Sequence, residues 1–324
     1  MQNDVLTSKA RSPSLDNGCV MNLFIEQSLN GLQYGAFLFL LASGLTLIFG
    51  IMGVINLTHG TFYMIGAYIG ALVFGSTGSF FAAIVAAMVG AGLYGVLVES
   101  TVIRWLYDRD HLYQVLATFG LILFTNEATT IIVGRSPIFM NIPGFLHGSF
   151  MLLPNLAYPY MRLSLIIAGL LVALFLWVLV NHTRFGMLIR AGADDRQMVD
   201  ALGVNMRLLF LSVFGLGAML CGLAGTMAAP LLAVEIGMGE RILITTFVVI
   251  IIGGVGSVRG AFVGAMLVGM VDSMGRAYAP QILSAILPAS VADTLAAGLV
   301  SASIYVLMAL VLLIWPYGLF PARS

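Results

Sequence analysis

From residue 27 to residue 98 the chain carries no Asp, Glu, Lys or Arg, and this gap constrains the fold more than any other feature. A helix that crosses a bilayer needs about 20 consecutive apolar residues, so the gap alone accommodates three crossings. The rest of the chain agrees. Of its residues 60% are hydrophobic and 9% charged, with a mean hydropathy of +1.04, which excludes an ordinary soluble domain. The apolar runs lack the alternation of an outer-membrane barrel. The expected fold class is therefore all-α: a polytopic transmembrane helical bundle of eight to nine spans with broken or re-entrant segments.

The longest charged interruption is 184–207, between two apolar runs of membrane length. It holds four of the fourteen basic residues, Arg184, Arg190, Arg196 and Arg207, interleaved with Asp194, Asp195 and Asp200. Such a loop reads as cytoplasmic. Asp194 and Asp195 stand where acids favour a helix start, Met198, Ala201 and Leu202 form an apolar stripe, and Gly203 follows as a stop. A short amphipathic helix over 194–202 is either a docking surface or a segment lying in the lipid headgroups.

In chain order, residues 1–22 are expected to form a disordered extension, 23–318 the membrane domain and 319–324 a short tail. Spans are expected at 29–49, 61–74, 80–98, 115–132, 163–180, 208–230, 242–258, 261–274 and 295–315. Loops at 134–160 and 279–293 fall on the outer side, as does a short turn at 235–241. If the segment at 50–60 is re-entrant, or one short segment stops short of a full crossing, the count is eight. Two glycine-punctuated breaks, 50–60 and 253–264, lie in opposite halves of the chain. Paired interruptions of this kind place a substrate path near the midplane in transporters; alternatively, small residues simply let helices pack closely. The second break contains Gly253, Gly254, Gly256, Gly260 and Gly264.

Polar groups at membrane depth are few. Asn56 and His59, with Gly60, offer neutral hydrogen bonds to a substrate or cap broken helix ends. Glu127 and Asp272 are carboxylates inside predicted spans, where such groups face a cavity or a partner. Glu127 pairs either with a cationic substrate group or with Asn126, Thr125 or Arg135, whereas Asp272 has Arg276 at ion-pair spacing. Glu99 and Arg104 read as interfacial. Lys9 is the only lysine and has no glycine-rich loop beside it, so ATP in a P-loop must belong to another polypeptide. Two cysteines, Cys19 and Cys221, give no disulfide framework or metal spacing. No hydrolase constellation appears, and neither cofactor nor metal is expected.

Several ordered motifs resemble the integral-membrane subunits of bacterial ABC importers for branched-chain amino acids. They are NGLQYGAFLFLLASGLTLIFGIMGVINLTHGTFYMIGAY from residue 30, LATFGLIL at 116–123, RFGMLIRAGADDRQMVDALGVN at 184–205, CGLAGTMAAPL at 221–231 and GGVGSVRGAFVGAMLVG at 253–269. The resemblance implies a permease of the bacterial inner membrane for branched-chain or related amino acids or small amides. Its implied partners are two ATP-binding subunits, a second permease subunit (homologue or second copy) and a periplasmic solute-binding protein, with no nucleic acid. It implies too that the loop at 184–207 receives the ATPase's mechanical signal, through Arg190, Asp194, Asp195, Met198, Ala201, Leu202 and Gly203. The substrate path is expected at Asn56, His59, Gly60 and Glu127. Two departures stand out. The family's basic, proline-containing stretch is replaced by residues 104–110, and Glu127 is not a family feature. A self-sufficient channel or gradient-driven carrier is the rival reading.

Overall fold

The computed structural model describes residues 17–320 apart from 55, 108, 154 and 155, and leaves out the side chains of 17–20, 153, 289 and 290. The extension expected over 1–22 lies outside the described residues up to 16. From Asn17 onward it is already helical. The tail expected at 319–324 is described only at 319 and 320.

The charge-free gap becomes three helices: α1 (Asn17–Met52), α2 (His59–Thr77) and α3 (Phe80–Thr101). Five further helices follow from the other apolar runs: α4 (His111–Val133), α5 (Tyr160–His182), α8 (Met206–Ala228), α10 (Val258–Ser284) and α11 (Ala289–Ile314). These eight are long and apolar enough to cross a membrane, so the chain is an all-α, multi-pass bundle. The remaining helices are α6 (Arg184–Asp194), α7 (Arg196–Ala201) and α9 (Met238–Gly253). At about 1.5 Å per residue, α9's 16 residues fall short of a bilayer's hydrocarbon thickness.

The organising element is α1. It is apolar on every side, as a helix must be when protein surrounds it, and Leu38, Phe39, Leu40, Ala42 and Leu45 are fully buried. It runs antiparallel to α10, with Gly31 against Met270 and Gly35 against Ala265, and its Gly50 meets Gly256 in the turn before α10. In turn α8 packs on α1, α2 and α3, α10 on α9 and α11, and α5 on α1.

One end of the bundle gathers residues 102–110, α6, α7, the 254–257 turn and residues 315–320. There Leu319 and Phe320 donate backbone hydrogen bonds to Ile252 and Gly253. The opposite end carries 134–159, a loop by sequence. It contains a hairpin of β1 (Ser149–Leu153) and β2 (Leu156–Pro159). The hairpin is pinned to α1 where Tyr158 donates to the Leu29 carbonyl. Burial pushes the Tyr158 phenol up to about 12, so it stays a donor.

Three boundaries differ from expectation. Residues 279–293 are not one loop, because α10 continues to Ser284 through Pro280 and α11 begins at Ala289. The segment at 184–207 holds two helices rather than one over 194–202. The glycine-rich break at 253–264 is a tight turn, with Gly254 and Gly256 at positive φ, followed by the uninterrupted α10. Its other glycines serve close packing: side chains at Gly253 and Gly260 would collide with each other's backbone, and one at Gly264 would meet the Val249 carbonyl.

Candidate functional site: two helix ends meeting inside the bundle

After α1 ends at Met52 the chain does not start the next helix at the same level. The first residue of α2, His59, places Nε2 3.1 Å from the Leu41 carbonyl and 2.9 Å from Cys221 Sγ. Leu41 lies eleven residues before the end of α1, a rise of about 16 Å. The intervening residues therefore fold back alongside α1, and α2 begins inside the bundle. The Phe37–Tyr63 ring contact, at 5.8 Å between centroids, fixes α2's direction as antiparallel to α1.

The partner discontinuity is 229–237, not 253–264. It begins where α8 stops at Ala228, touches the opposite-end loop through the Val234–Ile138 bridge, and turns into α9 at Gly237 with φ 82°. The start of α9 then meets the start of α2. Gly60 and Gly239 approach backbone to backbone, and a Cβ on either would overlap the other's carbonyl. Glycine is required at both positions because no side chain fits between the two chains. Two helix amino ends, each with unpaired N–H groups and a partial positive charge, thus converge within the apolar bundle.

The polar groups around this junction are buried and only partly satisfied. Asn56 Oδ1 accepts from Thr58 N–H at 3.0 Å, an Asx turn that ends the return segment. Thr58 Oγ1 donates to the Thr118 carbonyl in α4 at 3.2 Å. Because Leu41 O only accepts, the His59 proton belongs on Nε2, and Nδ1 is a bare acceptor. Among the described residues, His59 Nδ1, Asn56 Nδ2 and Thr46 Oγ1 find no hydrogen-bond partner. Leaving such a group buried and unpaired costs about 1–3 kcal/mol. In the residue after Gly239, Glu240 Oε1 accepts from Asn126 Nδ2 at 2.5 Å.

Of the sequence-predicted path residues, Asn56, His59 and Gly60 come together here and Glu127 does not. Glu127 is exposed on the outer face of α4 and has no ion pair among the described residues. The carboxylate next to the Gly60–Gly239 contact is the half-buried Glu240, in a segment that the sequence alone places in an outer turn. Thr58, Gly239 and Cys221 were also missed. Asp272 behaves as expected, held by a two-pronged pair with Arg276 at 2.8 and 2.9 Å. A separate cavity of about 250 Å³ lies nearer the hairpin end, lined by Gln33, Tyr34, Phe37, Arg162, Leu231 and Leu232 among others. It includes none of the predicted path residues.

The predicted coupling residues occupy the end with α6 and α7. Arg190 donates to the Val180 carbonyl, tying α6 back to α5's last turn. Asp194 is the final residue of α6 rather than part of the next helix start. Asp195 is the N-cap of α7, its Oδ1 accepting from Met198 N–H at 2.9 Å. Ala201 is exposed, as are Met198 and Leu202, at 63% and 76%. Gly203, at φ 87°, ends the turn.

The chain is thus a many-helix membrane bundle with two buried helix starts meeting inside it. The sequence comparisons define the class further: residues 27–314 match the family described as "Branched-chain amino acid transport system / permease component", and the chain belongs to it. It is 27% identical over 266 residues to the high-affinity branched-chain amino acid transport system permease protein BraD of Pseudomonas aeruginosa, covering 78% of this chain and 86% of that protein. It is 26% identical over 269 residues to LivH of Escherichia coli, a permease of the same description, covering 79% and 87%. A probable LivH of Methanocaldococcus jannaschii is 26% identical over 250 residues, covering 74% and 78%. No solved structure matches the chain significantly.

Proposed function

We propose that this chain is the permease subunit of an ATP-driven bacterial inner-membrane importer for small zwitterionic amino acids with apolar side chains. ATP-binding subunits dock at α6 and α7. A second permease subunit completes the membrane unit, and a soluble binding protein delivers substrate at the hairpin end. The observation that carries the reading is the meeting of the α2 and α9 amino ends beside the unpartnered Asn56 and His59 groups. Helix amino ends at membrane depth suit a carboxylate, the Asn56 amide adds a donor, and Glu240 supplies the charge an ammonium group requires. The Gly60–Gly239 contact closes the passage in this conformation, so transport requires α2 and α9 to separate.

The test is uptake of radiolabelled leucine into proteoliposomes holding the permease, its ATP-binding subunits and the binding protein. ATP-dependent uptake is expected, with His59→Ala impairing it while the complex still assembles. Leucine movement by the permease alone, without ATP or the ATP-binding subunits, would overturn the proposal. Normal transport by His59→Ala would remove the junction from the path.

A further inference from the structure

We propose that Arg196 is the positioning residue that passes displacement of α7 to the membrane helices, by way of Phe210 and Tyr107. The inference rests on the coupling reading above and deepens it, because it concerns what happens after an ATP-binding subunit has docked.

The helix α7 has two faces. Met198, Ala201 and Leu202 are exposed on one, while Val199 is buried on the other, where Arg196 is half-buried. Arg196's guanidinium carbon lies 4.5 Å from the Phe210 ring centroid and 5.6 Å from that of Tyr107. The two rings meet edge to face at 5.2 Å. A cation enclosed by aromatic faces and withdrawn from water is held more firmly than one at an open surface. Among the described residues, one terminal nitrogen of Arg196 is buried without a hydrogen-bond partner, and the two aromatic rings are the contacts that hold the guanidinium. Tyr107 in turn donates to Glu99 at 2.5 Å, and Glu99, in the last turn of α3, is only 4% exposed. Burial and the Glu99 carboxylate both push the Tyr107 phenol up, which keeps its proton in place for that bond.

Phe210, and Tyr107 through Glu99, connect Arg196 to α8 and α3. Phe210 is the fifth residue of α8. Further along α8, Cys221 touches His59, and Gly222 and Gly225 pack against Gly66 and Tyr63 of α2. Glu99 belongs to α3, whose Gly92 and Gly95 fit against Met219 and Ala218 of the same α8. Close-packed helices move as bodies, because their interfaces do not deform continuously. A pull on Arg196 therefore shifts the two helices that flank the start of α2. A guanidinium suits this task because it is always charged and stacks flat on rings.

The experiment measures leucine transported per ATP hydrolysed in reconstituted complexes of wild type, Arg196→Met, Arg196→Lys and Tyr107→Phe. In the Met and Phe variants the ATP-binding subunits should co-purify and ATP hydrolysis continue, while leucine per ATP falls roughly tenfold. Arg196→Lys, which keeps the cation but not the flat stacking, should recover part of the ratio. An unchanged ratio in Arg196→Met would overturn the proposal. So would loss of the ATP-binding subunits from that variant, which would make Arg196 part of the docking surface or the folded core. If Arg196→Met does not fold, Tyr107→Phe decides alone, since it removes one oxygen and keeps the ring. A wild-type permease that never captures ATP-binding subunits would sink the proposed function instead.

Discussion

Asn126 and Glu127 are chain neighbours, yet about 100° of helix rotation sends one to Glu240 and the other to the outer face of α4. Substituting the two glutamates should therefore have unequal effects. Glu240→Gln keeps a hydrogen-bond partner for Asn126 but removes the charge proposed to meet the substrate's ammonium group. The KM for leucine should rise about tenfold, as expected when a charge-assisted contact is lost. Glu127→Gln should leave KM unchanged, and a rise there equal to that in Glu240→Gln would refute the assignment. The sequence pointed to Glu127 because a carboxylate in an apolar run is conspicuous. Glu240 was hidden because Glu235 and Arg241 beside it, which pair with each other, make the segment resemble a surface turn. Its partner Asn126 is 114 positions away, beyond the reach of any local pattern. Glu99, interfacial by its place in the sequence, is buried within the protein and accepts from Tyr107.

At the scale of helices, the two α2/α9 glycines and the α7 cap make separate demands. Gly239→Ala places a methyl group against the Gly60 carbonyl, and overpacking of this kind typically costs 1–3 kcal/mol. It should lower the thermal midpoint of the detergent-solubilised permease and, by holding α2 and α9 apart, change leucine uptake; an unaltered midpoint and rate would contradict the close approach. At the other end, Asp195→Ala removes the Met198 N–H acceptor, worth about 1 kcal/mol, whereas Asp194→Ala removes no cap. Hydrogen exchange over 196–203 should quicken in the first variant only. Hydropathy made the long spans legible, and Gly203 was recognisable as a helix stop. Two features were not legible. Helix α6 is short and carries a mixed sequence that resembles the rest of its loop. The hairpin at 149–159 has too few residues, between prolines, to show a period. The glycines at 253–264 drew attention away from 229–237, where the true break is marked by little more than Pro230 and Gly237.

Taken whole, the molecule is a buried α1 wrapped by helices of very different exposure. Nearly nine-tenths of α1's most apolar window is buried, against 17% for α4 and for α11. Helices this exposed face lipid or another subunit, which fits a permease that works within a larger complex. Orientation then decides which face meets which partner. The end with α6 and α7 carries Arg104, Arg109, Arg184, Arg190, Arg196, Arg207 and Arg259, and by the positive-inside rule it belongs in the cytoplasm. The hairpin end, with Arg135 and Arg162 as its basic residues from 134 to 162, then faces outward. Single cysteines test this directly in a Cys19→Ser background, since the remaining Cys221 is buried. Phe145, 73% exposed, replaced by Cys should react with a membrane-impermeant maleimide only from outside. Met198→Cys should react only from inside, and binding of the ATP-binding subunit should slow that reaction at least several-fold, as burial of an interface side chain does. Labelling of Phe145→Cys only from inside would invert the molecule and remove the docking face. Undiminished labelling of Met198→Cys in the assembled complex would return α7 to the lipid surface.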